Sequence, residues 1–115
     1  MRIGTWNLAG RWLWSPAHRE LLTVQGCDVW LLTEVREDVD LPGYHAHLSA
    51  GRVVGRRRWA GVFSRSPLTP LPDPHAASAC AVVDGGTFCS TILPWRSCGP
   101  APPSDQVICL IKCCG

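Results

Sequence analysis

Apolar and polar positions alternate from Arg2 to Leu8 around Ile3, Trp6 and Leu8, a period that predicts a strand ended by Gly10. Ser15-Pro16 then reads as a helix start, because Ser15 is a capping residue and Pro16 suits the first helical position. Ala17, Leu21, Leu22 and Val24 supply the expected apolar stripe, and Gly26 closes the helix. Val29 to Leu32 is a continuous apolar run of the kind a central parallel strand needs when both of its faces are covered. Residues 1–34 therefore predict a β-α-β unit.

Beyond Glu34 the pattern changes. Leu41-Pro42-Gly43 before Tyr44 signals a turn, and the basic stretch Arg52 to Arg58 interrupts any periodicity, so a loop is expected there. Strand character resumes at Trp59-Ala60-Gly61-Val62-Phe63-Ser64. Pro67, Pro70, Pro72 and Pro74 then force an extended or irregular connection. Ala79 to Val83 and Thr87 to Leu93 flank Asp84-Gly85-Gly86, a hairpin signal, since aspartate and glycine tolerate the positive φ of a tight turn.

This order gives the candidate chemistry its place. In a right-handed β-α-β crossover, Asn7 and Glu34 emerge together at the carboxyl edge of the sheet, where ligand sites of α/β folds form. The plainer readings are a turn-starting asparagine before Gly10 and a solvated strand-end carboxylate. Trp6, Trp30 and Trp59 sit inside strand patterns and are expected in the core.

Composition adjusts the picture at few points. A chain of 115 residues with 46% apolar content suits one domain, or part of one, with a modest core. No signal peptide or membrane span is recognisable, so the expected location is cytoplasmic. A net charge of +2 is too mild to argue for nucleic acid. Locally, however, Arg52, Arg56, Arg57 and Arg58 offer guanidinium forks for phosphates, with a solvated basic loop as the plain alternative. Seven cysteines without an export signal are expected to be reduced thiols; Cys80, Cys89 and Cys98 lack the close pairs of zinc sites. His45 and His47 would share one face of a strand, the sole histidine spacing suggestive of a metal.

The end of the chain is of another character. Gly99-Pro100-Ala101-Pro102-Pro103 is a linker-like break, and the tail beyond it holds the one lysine, Lys112, and three cysteines. Residues 2–98 are thus expected as the domain and 99–115 as an atypical tail. An ordinary short strand at Val107 to Ile111 is the alternative to a tail foreign to the domain, as a frameshift or premature stop would produce.

Thr5-Trp6-Asn7-Leu8-Ala9-Gly10, Asp28-Val29-Trp30-Leu31-Leu32-Thr33-Glu34-Val35 and Trp59-Ala60-Gly61-Val62-Phe63-Ser64-Arg65-Ser66-Pro67-Leu68 together resemble the front part of the endonuclease/exonuclease/phosphatase superfamily, over about residues 2–98. The resemblance implies a partial two-sheet α/β sandwich of that type, with a β-α-β start followed by strands and a hairpin. It implies a metal-dependent phosphoester hydrolase in which Glu34 holds a magnesium ion and Asn7 orients the metal or the phosphate. The implied substrate is a phosphoester, including nucleic acid. The family's later Gly-Asp-x-Asn and Ser-Asp-His segments do not occur, and the expected histidine is replaced by Pro94-Trp95-Arg96-Ser97, leaving Arg96 as a substitute phosphate ligand. Catalysis by this chain alone is therefore not expected. Two other classes remain open: a non-catalytic remnant that self-associates through an uncovered sheet face, and a small basic nucleic-acid-binding module.

Overall fold

The computed structural model describes residues 1–8, 16–52, 55 and 57–92, together with the backbone of 112–114. Its elements are β1 (Ile3–Asn7), α1 (Pro16–Gln25), β2 (Val29–Arg36), β3 (His45–Leu48), β4 (Arg57–Ser64), β5 (Leu68–Leu71), β6 (Ser78–Val83), β7 (Gly86–Thr91) and β8 (Lys112–Cys114). They form two four-stranded sheets, in the orders β1-β2-β4-β3 and β5-β6-β7-β8. The β1/β2 pair is parallel and every other pair is antiparallel. The expected β-α-β start and the β6/β7 hairpin are both present.

Alternation along the central strands decides the layering. Val29 and Leu31 of β2 and Ala60 and Val62 of β4 meet Ala79, Ala81 and Val83 of β6 and Phe88 of β7, forming the core between the sheets. The opposite face of the first sheet presents Trp30, Leu32 and Phe63, which pack with Leu22 of α1, Leu8, Cys27 and Leu41. One helix therefore covers one face of a sandwich, a mixed α/β arrangement dominated by strands. Gly26 ends α1 with φ of 61°, the left-handed conformation expected at a helix C-terminus.

Several expectations need correction. Of the apolar stripe on α1 only Leu22 is buried, whereas Leu21 is 47% and Val24 71% exposed. Ala17, Leu21 and Val24 share one helical face, while His18 and Leu22, four apart, share the other, and it is the second that meets the sheet. β3, an edge strand paired with β4, follows the turn at Gly43 without having been expected, and β4 itself begins at Arg57, within the basic stretch expected as a loop. The proline-rich connection contains β5, in which Pro70 stands opposite Ala81. Proline is tolerated there because β5 is an edge strand, and the N–H it lacks would face away from the ladder. Ser15, Arg56, Arg96 and the alternative strand at Val107 to Ile111 lie outside the described residues.

Candidate functional site

The parallel pairing places Asn7, the last residue of β1, directly opposite Thr33 of β2, one residue from Glu34. The two residues are thus neighbours in register, as the β-α-β reading expects. The backbone amide of Leu8, donating to the Thr33 carbonyl at 3.0 Å, extends the pairing past Asn7 and fixes the two strand ends together.

Glu34 is not the last residue of its strand, which continues to Arg36. Its φ is 51°, a left-handed value uncommon for a glutamate. The ladder to β4 runs from Val29↔Ser64 to Thr33↔Ala60 and resumes at Val35↔Arg58, leaving out Glu34. Alternation also slips here. Val35 joins Trp30 and Leu32 on the helix side instead of Val29 and Leu31 between the sheets. Across the ladder, Trp59 packs with Ala77 and Ile92, which flank β6 and β7, on the same side as its neighbour Ala60. The register is the same on both sides of the gap, which leaves out Trp59 as well as Glu34, so no residue is inserted there. The half-buried Glu34 carboxylate receives no hydrogen bond or ion pair among the described residues.

Other groups border this edge. His18, in the first turn of α1, stacks on Trp6 with ring centroids 5.4 Å apart, which brings an imidazole beside the residue preceding Asn7. His18 shows no metal-ligand spacing in the sequence. The one legible signal is Pro16, which sets the helix start two residues earlier. From the second sheet, Ser90 donates to the Leu32 carbonyl at 2.8 Å, and Ser78 and Thr91 share a hydrogen bond at 2.6 Å. β7 therefore ends at the same edge, although Arg96 beyond it lies outside the described residues.

The basic residues are placed unequally. Arg58 binds Glu37 through Nε at 2.9 Å and Nη2 at 2.6 Å, and its Nη1 donates to the Ser49 carbonyl at 2.9 Å. Arg52 reaches the same Glu37 oxygen at 3.3 Å. Arg58 is thus a tie between β4, the segment after β2 and the segment after β3. Arg57, half-buried, stands opposite Arg36, whose guanidinium is engaged by Asp38 at 2.9 Å. Arg36 is held above the usual arginine value chiefly by that hydrogen bond.

His45 and His47 share a face of β3, but His47 Nε2 lies 3.3 Å from Asp73, whose other oxygen accepts from the Ala50 amide at 2.7 Å. These contacts fasten β3 to the segment after β5. Among the described residues no three histidine, cysteine, aspartate or glutamate side chains converge into a metal-binding group. No helix among them is long and apolar enough to cross a membrane. Compared with known proteins, the chain matches no protein-family model and no curated protein.

Proposed function

We propose that the chain carries the metal-binding end of a phosphoester hydrolase of the endonuclease/exonuclease/phosphatase type. The observation that carries this reading is the pairing of Asn7 with Thr33, next to a Glu34 carboxylate that no described residue engages. A hard divalent cation favours such carboxylate and amide oxygens, and magnesium commonly uses one or two carboxylates while keeping several waters. The donor set therefore fits a loosely held magnesium ion, and does not form a closed cage.

Bound there, such an ion would stabilise negative charge developing on a phosphate. Glu34 contributes the anionic oxygen, and Asn7 contributes an amide that orients the metal or the phosphate. The chain lacks the segments that align an attacking water in that family, so turnover requires further groups. Phosphate contacts fall to Arg57 and, outside the described residues, to Arg56 and Arg96; Arg58 is held by Glu37. The alternative of a basic nucleic-acid-binding module rests on the arginine loop at 52–58 and on Trp59 beside it, whose ring is buried.

Binding and turnover are tested separately. Manganese, as a paramagnetic stand-in competed by magnesium, is expected to bind the wild-type chain weakly and to lose detectable binding in Glu34→Ala. Hydrolysis of bis(p-nitrophenyl) phosphate with magnesium, run beside Glu34→Ala and with EDTA, is expected to stay at background. Manganese binding that is unchanged in Glu34→Ala would sink the proposal. Salt-sensitive DNA or RNA binding without a divalent ion would favour the alternative.

A further inference from the structure

β6 and β7 are joined by Asp84 and Gly85, whose φ values of 48° and 78° are both positive, as a two-residue type I′ turn requires. In such a hairpin the closing pair, here Val83 and Gly86, exchanges both backbone hydrogen bonds. The alternation of antiparallel pairs then makes Val82–Thr87, Cys80–Cys89 and Ser78–Thr91 the non-hydrogen-bonded pairs. Their side chains stand closest, on Cα atoms about 4.5 Å apart.

The Ser78–Thr91 pair shows this closeness directly, with its hydroxyl oxygens 2.6 Å apart. Cys80 and Cys89 occupy the same phase and the same face two residues along. Both are free thiols, Cys80 buried and Cys89 half-buried. Disulfides span Cα separations of about 4.4–6.8 Å, so the pair is within bonding range with little backbone movement.

We propose that Cys80 and Cys89 form a redox-active dithiol site, which closes reversibly into a cross-strand disulfide by exchange with a low-molecular-weight disulfide. In the first step one protein sulfur, as thiolate, attacks the small disulfide. Its S–S bond breaks, a mixed disulfide forms, and the departing sulfur takes up the proton the protein thiol lost. In the second step the other protein sulfur attacks the mixed disulfide and expels the second small thiol. Two protein thiols are oxidised and one small disulfide is reduced to two thiols.

Burial first, and then the hydrogen bond with Cys80, push the Cys89 thiol up to about 12, with the nearby Asp73 charge acting in the same direction. Cys89 therefore keeps its proton near neutral pH, and exchange at this site speeds up as the pH rises. The ring closed between neighbouring strands is short, and the Cα separation lies at the low end of the disulfide range. Both features make the bond easy to reduce, which suits a reversible site better than a structural staple.

The test uses the full chain, reduced and then incubated in glutathione buffers of increasing oxidised fraction, with disulfides mapped by proteolysis and mass spectrometry. The expected product is a Cys80–Cys89 linked peptide, lighter by two hydrogens, that reverts on addition of dithiothreitol. Independently, the reduced chain is expected to hold phenylarsine oxide across the pair, and to lose that bidentate capture in Cys80→Ser and in Cys89→Ser. The wild-type mapping does not depend on how well either variant folds. Separate glutathione adducts on the two sulfurs, pairing of either with Cys27 or a tail cysteine, or thiols that stay reduced while the others oxidise would overturn the site.

Discussion

Gly4 shows how much can rest on one missing side chain. A Cβ at this position would run into the Trp30 ring and lie 2.8 Å from the Cys27 sulfur, so β1 can lie against the helix-side cluster only with glycine there. Gly4→Ala is expected to cost about 1–3 kcal/mol through overpacking, seen as a lower urea midpoint with unchanged slope. The same scale divides the candidate site. Asn7 and Glu34 were legible as the polar ends of two apolar runs, because a period-two pattern shows where a strand leaves its core. The left-handed φ of Glu34 was not legible, since no residue type that favours such a backbone marks the position. At Asp84 and Gly85 the opposite held: both residue types tolerate positive φ, and the turn was evident from them alone.

Whole elements depended on partners as well as on local pattern. β3 spans four residues, His45–Leu48, too few to show a period, and it exists through pairing with β4 and through the His47–Asp73 contact. α1 was legible as a helix from Ser15-Pro16 and Gly26, yet of the expected stripe Ala17, Leu21, Leu22 and Val24 only Leu22 is buried. The crossover geometry, which lays His18 on Trp6, chose the Leu22 face in spite of the larger apolar count on the other. Arg58 makes a further case at this scale, because it joins three segments through Glu37, Ser49 and Ala50. Arg58→Ala is expected to destabilise the fold by about 1–2 kcal/mol, after allowance for partial exposure, measured by urea unfolding. Arg57→Ala, which removes no such tie, is expected to leave stability within about 0.5 kcal/mol.

Across the molecule, the two sheets are joined mainly by small and branched side chains, with Ser90 adding a hydrogen bond from the second sheet to the Leu32 backbone of the first. Ser90→Ala is expected to lose about 1 kcal/mol, and amide hydrogen exchange is expected to show the loosening at the β2/β4 ladder around Glu34. The sequence by itself determined the β-α-β start, the hairpin and the residues of the Asn7/Glu34 edge. These features rest on nearest-neighbour chemistry: alternation, a proline at a helix start, and glycine or aspartate at a turn. Tertiary structure alone decided the pairing of β3 and β5 as edge strands, the slip of alternation at Glu34 and the capture of Arg58 by Glu37. Each of these depends on which strands become neighbours. That choice is made by the burial of complementary faces between residues far apart in the chain, which local pattern does not encode.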